Sequence, residues 1–215
     1  MSPDRFKSIL SFHLNDNTIA IPMGENGHDP LHKVCPLVDH LISVFKSLYT
    51  PEQNICIDEA MCPWRGRAPV GTRVYMKDKP VKWGIKLYEL CESSSGYVWN
   101  FEIMCKMPGL SNKRYDVCHR LLQPLKNEGH VLYVDNYYCC PELAHSLTAE
   151  NTSVVGTVRA NRVGMPADLI SQRLVRGEMD YRHNQVLIIK WSDKRDVFVL
   201  TTKHIPEMQD VRSRT

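Results

Sequence analysis

The sequence predicts an α/β domain in which a mixed sheet with flanking helices carries an added β-hairpin toward its C-terminal end. Three observations predict it. Hydrophobic spacing alternates between the helical period and the two-residue period of strands along the 215 residues. Two short apolar runs, Ile55-Cys56-Ile57 and Leu132-Tyr133-Val134, each end on an aspartate, as buried strands of a mixed sheet do where they run out toward a cleft. The composition is 43% hydrophobic and 24% charged, which supports a sizeable core and excludes collagen-like, low-complexity and wholly disordered chains.

Taken in order, Phe6, Ile9, Leu10 and Phe12 space a short amphipathic helix over 5–14, which Asn15-Asp16-Asn17 would end. Pro22, Gly24, Gly27 and Pro30 mark a loop. Leu37, Leu41, Val44, Phe45 and Leu48 form the apolar stripe of a second helix, with Pro36 placed to start it and Thr50-Pro51 to stop it. Residues 54–58 read as a short strand ending on Asp58. The alternating runs 84–91 and 97–104 flank Ser93-Ser94-Ser95-Gly96 and read as an antiparallel hairpin. Val117, Leu121, Leu122 and Leu125 restore helical spacing. A strand over 131–135 ends on Asp135, a helix follows over 141–148, and a buried strand over 153–158. After a polar stretch, 185–191 and 196–201 make a last hairpin turning at Ser192-Asp193.

No apolar run approaches the length that crosses a bilayer, and Asp4, Arg5 and Lys7 interrupt any signal-peptide pattern near Met1. The expectation is a soluble protein that is not secreted by that route and has no membrane partner. The eight cysteines lie at 35, 56, 62, 91, 105, 118, 139 and 140, without the C-x-x-C spacing of a zinc site. They read as buried or free thiols in a reducing compartment, cytosol or nucleus.

The net charge of +3 hides an uneven distribution. Residues 1–63 hold 4 basic and 8 acidic side chains, residues 64–126 hold 12 and 5, and residues 127–215 hold 11 of each. A basic middle third suits a polyanionic partner, with a solvated Lys/Arg face as the competing reading. Asp58 and Asp135, if on adjacent strands, have the chemistry to hold hard divalent cations through oxygen ligands, of the kind that activate a nucleophile in phosphoryl transfer. The competing reading is that each merely begins a turn.

Ordered motifs then carry a resemblance. Ile57-Asp58-Glu59, Trp64-Arg65-Gly66-Arg67, the block from Lys79-Pro80-Val81-Lys82 to Trp83-Gly84-Ile85-Lys86, Val134-Asp135-Asn136-Tyr137-Tyr138 and the run Val155 to Arg162 are similar, in this order, to the catalytic domain of piggyBac-type transposases. Upstream, Arg5-Phe6 to Asn17 and Pro36-Leu37-Val38-Asp39 to Thr50-Pro51 match as well. The resemblance implies an RNase H-like fold and a DDE/D core using two divalent metals, usually Mg²⁺. Asp58 and Asp135 match the first and second metal-binding, catalytic aspartates. It implies cut-and-paste chemistry on DNA, with transposon ends and a TTAA-type target as partners, a homodimer in full-length relatives, and nuclear localisation.

On that basis residues 1–52 are the remnant of a dimerisation and DNA-binding region, 53–174 the catalytic core, 175–203 a β-rich insertion, and 204–215 an unstructured tail. The family's third aspartate follows a Y-N-x-x-x-G-G-V-D type motif that this sequence does not contain, so the final catalytic helix is expected to be missing and the chain inactive in cleavage. The alternative is a domesticated, non-catalytic DNA-binding or chromatin-associated protein. The basic residues Arg65, Arg67, Arg73, Lys77, Lys79, Lys82 and Lys86, extended by Arg159 and Arg162, are the expected DNA phosphate contacts. Trp64, Trp83, Tyr137 and Tyr138 either stack on unpaired bases or pack in the core.

Overall fold

Two-residue alternation of aliphatic and polar side chains builds most of the sheet in the computed structural model, which describes residues 1–10, 20–22, 25, 27–64, 72–105 and 109–207. The expected stop at 15–17, Arg65, Arg67 and the end of the 204–215 tail lie outside the described residues. The strands are β1 (Asn54–Pro63), β2 (Arg73–Tyr75), β3 (Trp83–Glu92), β4 (Val98–Ile103), β5 (Val131–Val134), β6 (Ser153–Thr157), β7 (Met179–Asn184), β8 (Val186–Ser192) and β9 (Asp196–Thr201). The helices are α1 (Pro3–Leu10), α2 (Cys35–Leu48), α3 (Arg114–Leu122), α4 (Pro141–Ala149) and α5 (Ala167–Ser171).

One sheet runs in the order β2-β3-β1-β5-β6-β9-β8-β7, with β4 sharing the outer edge of β3 with β2. Pairing of β1, β5 and β6 is parallel and all other pairing is antiparallel. The central order β4-β3-β1-β5-β6 is the mixed sheet expected of an RNase H-like fold. The hairpin near the C-terminus joins it directly, because β9 pairs with β6 in the register Gly156↔Leu200.

The core lies on the face where Ile55 and Ile57 of β1, Leu90 of β3, and Leu132 and Val134 of β5 meet the helices. Helix α3 buries Val117, Cys118, Leu121 and Leu122 there, and α4 buries Leu143, Ala144 and Leu147. Helix α2 is held by polar anchors instead of a buried stripe. The Tyr97 hydroxyl donates to the Phe45 carbonyl at 2.9 Å, and the Trp99 indole to the Tyr49 carbonyl at 3.0 Å. On β8, Lys190 is only 1% exposed, and its ammonium donates to the Ile170 and Gln172 carbonyls while pairing with Asp196 at 3.0 Å. That buried charge is matched by three oxygens, and it ties α5 to the sheet.

Several elements differ from the sequence expectation. Strand β1 continues five residues past Asp58 to Pro63, because β3 pairs with it along its whole length. Strand β7, Met-Asp-Tyr-Arg-His-Asn, lies inside the 175–203 span expected to be β-rich, but in a part read only as polar and assigned to no strand; it is an edge strand, where polar side chains face water and pairing to β8 satisfies the backbone. Strand β2 and helix α5, of three and five residues, are too short to show a period.

The β3–β4 turn provides a pH-dependent element. The buried Glu92 carboxylate accepts hydrogen bonds from the backbone N–H groups of Ser94 and Ser95 and from both their hydroxyls. The Ser95 hydroxyl and these amides hold its pKa down from the ordinary 4.5 to about 2. A carboxylate depressed in the folded state stabilises the fold fully above about 4.5 and loses that contribution as pH falls toward 2. Glu92→Gln is therefore expected to lower the thermal midpoint near neutral pH, with the gap to the unsubstituted protein closing on acidification. Scanning calorimetry of both proteins over this range checks it; a constant gap would contradict it.

Candidate functional site

The parallel ladder of β1 and β5 pairs Ile55 with Leu132, Cys56 with Tyr133 and Ile57 with Val134, and ends there. The next residue on each strand is an aspartate. Asp58 and Asp135 thus emerge side by side from strands about 5 Å apart, on the sheet face opposite Ile57 and Val134. Both line one open cleft of about 380 Å³ together with Cys56, Ile57, Tyr133, Val134, Val155 and Gly156. Gly156 is required by backbone approach: a Cβ there would stand 2.2 Å from the Val134 carbonyl oxygen, immediately before Asp135.

Each carboxylate is positioned by the backbone that follows it. Asp58 Oδ1 accepts the Glu59 N–H at 2.7 Å, and Asp135 Oδ1 accepts the Tyr137 N–H at 2.9 Å. The Lys79 ammonium stands 3.9 Å from Asp58 Oδ2 and donates to the Glu59 carbonyl at 2.7 Å. At that distance, with the Asp58 side chain 66% exposed, the Lys79–Asp58 attraction is weakened by solvent. Glu89 is directly opposite Asp58 on β3; burial first, and then the Asp58 charge, push its carboxyl pKa up, with Lys79 opposing. On the next opposed pair of the same face, Cys56 and Cys91, a hydrogen bond with Cys91 and another with Ser93 lower the Cys56 thiol to about 7.

Glu59, one residue after Asp58, points to the other face. It pairs with Lys86 at 3.1 Å, the two side chains being 8% and 10% exposed. The Lys86 ammonium also lies 4.8 Å and 5.1 Å from the ring centroids of Tyr88 and Tyr137. Fully buried Tyr138 packs edge-on against Tyr137 and has its hydroxyl pKa raised, first by burial and then by the Glu59 charge. This inner cluster joins the Ile-Asp-Glu segment to the Asp-Asn-Tyr-Tyr segment beneath the two cleft carboxylates.

The basic residues divide by location. Arg73, Lys77 and Lys82 are exposed around the β2–β3 turn, Lys79 is half-buried beside Asp58, and Lys86 is inside. Arg159 donates to the Asn136 side chain at 3.0 Å, and Arg162 to the Asn136 and Tyr137 carbonyls at 2.8 and 2.9 Å, so both brace the turn that follows Asp135. Trp83 and Trp64 are exposed, and Tyr137 and Tyr138 are packed inside. Sequence reasoning missed Glu89 and Tyr133. The alternation in β3 puts Glu89 on the outward face, but only the pairing register sets it beside Asp58.

Two adjacent carboxylates suit a hard divalent cation, which takes oxygen ligands. Among the described residues no group of three or more His, Cys, Asp or Glu side chains is arranged to hold a metal ion. Asp58 and Asp135 would therefore supply only one side of such a site.

A family model described as Transposase IS4 matches residues 1–214. The chain is also similar to a piggyBac transposase, seen in the cryo-EM structure of its synaptic complex with hairpin DNA, with a TM-score of 0.86 and 26% identity over 98% of this chain. The chain belongs to the piggyBac-type transposase family. It spans 45% of the length of the solved piggyBac transposase chain. Its mixed α/β sheet with flanking helices is that of the piggyBac catalytic domain.

In this piggyBac-type core the Glu59–Lys86 pair is the structural support of the cleft. Removing one partner of a buried pair leaves the other uncompensated, at about 3–5 kcal/mol. Lys86→Met is expected to destabilise the protein by that amount, and adding Glu59→Met to recover most of the loss. Urea denaturation midpoints of the single and double variants measure it; a double variant no more stable than the single one would contradict it.

Proposed function

We propose that this chain is a DNA-binding core derived from a piggyBac-type transposase, whose ancestral activity is metal-dependent DNA strand cleavage and transfer by a cut-and-paste mechanism. One observation carries the reading: Asp58 and Asp135 leave neighbouring parallel strands side by side in one open cleft. Family membership supports the reaction class, and the DNA in the complex of the similar piggyBac transposase supports the partner.

Under this reading Asp58 and Asp135 present carboxylate oxygens to divalent cations, Mg²⁺ in the usual case. A bound cation supplies activation of the attacking oxygen and charge stabilisation on the leaving one. The chain's own residues do the rest. The amides of Glu59 and Tyr137 fix the two carboxylates, Arg159 and Arg162 hold the turn after Asp135, and Lys79 places positive charge at the cleft edge. Arg73, Lys77 and Lys82 contact backbone phosphates, with Arg65 and Arg67 in the same basic stretch. Transposon ends and TTAA-type targets are the corresponding DNA, the nucleus the corresponding compartment, and a homodimer the working assembly of full-length relatives.

With two protein carboxylates converging, cleavage by this chain alone is expected to be negligible. Mn²⁺ binding is expected to be weak and to vanish in Asp58→Asn and Asp135→Asn, as read from water-proton relaxation. Binding unchanged in both variants would overturn the metal role. Incubation with Mg²⁺ or Mn²⁺ and DNA bearing cognate ends checks the cleavage expectation, and products that Asp58→Ala abolishes would contradict it.

A second reading, a domesticated non-catalytic DNA-binding or chromatin-associated protein, is favoured by the Lys79 ammonium held at the mouth of Asp58, where it competes with a cation. Both readings require DNA retention at low salt. Neutralising Lys77 and Lys82 together is expected to lower the slope of log affinity against log salt by about 2, near 0.9 per phosphate contact. Mobility-shift titrations at several salt concentrations measure this; no retention at low salt, or an unchanged slope, would remove the proposed phosphate contacts.

A further inference from the structure

Tyr75 and Trp83 are directly opposed residues of the antiparallel β2–β3 pair, with ring centroids 4.9 Å apart and planes inclined by 49°. Each is 52% exposed. Core packing, the ordinary role of such side chains, therefore does not account for them. The Arg73 guanidinium carbon lies 4.8 Å from the Trp83 ring centroid, which adds a cation to the stack. Among the described residues no ion pair includes Arg73, Lys77 or Lys82. Lys77 and Lys82 stand exposed in the turn between the strands, which the Met76 N–H closes onto the Lys82 carbonyl at 2.8 Å.

Register places this cluster relative to the cleft. Opposed residues of an antiparallel pair share a sheet face. Glu89 is opposed to Asp58, and Leu87, Ile85 and Trp83 follow on the same face of β3 at two-residue steps. Arg73 and Tyr75, opposed to Ile85 and Trp83, share it too. The aromatic pair thus stands on the face that bears Asp58 and Asp135, about 20 Å along β3 from Glu89.

We infer that Arg73, Tyr75 and Trp83 form a stacking platform for unpaired bases of single-stranded DNA running along this face. The inference rests on the DNA-binding reading above and names the form of DNA that this part of the surface takes. Bases inside a duplex keep their faces covered by neighbours, whereas an unpaired base presents a face to an exposed ring. Stacking of this kind tolerates any sequence, and the flanking ammonium groups reach the phosphates on either side.

Fluorescence anisotropy of the unsubstituted protein, Trp83→Ala, Trp83→Leu and Trp83→Phe, each with a short oligothymidylate and with a blunt duplex of equal length, tests it. Trp83→Ala and Trp83→Leu are expected to lose at least about tenfold in affinity for the single strand while staying within about twofold on the duplex. Trp83→Phe, which keeps a π-face, is expected to retain most of the single-strand affinity. Equal losses on both DNAs, or a Leu variant matching Phe, would overturn the platform while leaving general DNA binding intact. Failure of the unsubstituted protein to bind either DNA would overturn both readings together. Photo-crosslinking of the unsubstituted protein to iodouracil-substituted single strands needs no variant: adducts on Tyr75 or Trp83 support the platform, and adducts confined to other segments overturn it.

Discussion

The site depends on where one ladder stops. Strands β1 and β5 pair in parallel through Ile57↔Val134, and β5 ends at Val134 while β1 continues along β3. Parallel pairing puts the ends of both strands on the same side of the sheet, so residues 58 and 135 leave the ladder together. A shift of one residue in this register would turn one aspartate toward the helices and its aliphatic neighbour toward water. Burial of Ile55, Ile57, Leu132 and Val134 against α3 and α4 opposes that shift. The hydrophobic core is thus what holds the two carboxylates side by side.

The same two-residue period sorts neighbouring charges into different roles. Asp58 and Glu59 adjoin in sequence, yet one opens to the cleft and the other is neutralised inside by Lys86. Within the basic block, Lys82 is exposed, Lys79 bridges toward Asp58, and Lys86 belongs to the core. A charge count over 64–126 weighs these side chains equally, although only some of them can meet a phosphate. Among the described residues of the block near Asp58, the exposed positive charge is therefore carried by the β2–β3 turn.

This sorting sets how far the sequence could be read. The strands around Asp58 and Asp135 were legible because a short apolar run closed by an acid suits a buried strand that ends at a surface, and the ordered motifs placed the fold. The continuation of β1 past Asp58 was not legible, since Glu59 looks like a break until Lys86 is known to face it. Strand β7 was not placed individually within the expected β-rich span for a related reason: an edge strand needs no apolar face when its neighbour β8 supplies the backbone partners. Arg159 and Arg162 read as surface cations, and only the fold shows them bonded to the turn after Asp135. In each case the missing information was a long-range pairing, which composition and spacing do not contain.

Beneath the cleft, the inner cluster adds a constraint of a different kind. Glu59 on β1, Lys86 and Tyr88 on β3, and Tyr137 and Tyr138 after β5 meet on the core side of the two strands that carry the aspartates. A buried ion pair of this kind adds little net stability against an apolar replacement, since desolvation offsets most of the attraction. Its effect is better understood as geometry. Glu59 and Tyr137 are the residues whose backbone N–H groups hold the Asp58 and Asp135 carboxylates, so fixing their side chains from below also fixes those donors from above. The arrangement of the open cleft is in this way set from the closed side of the sheet, where water does not compete.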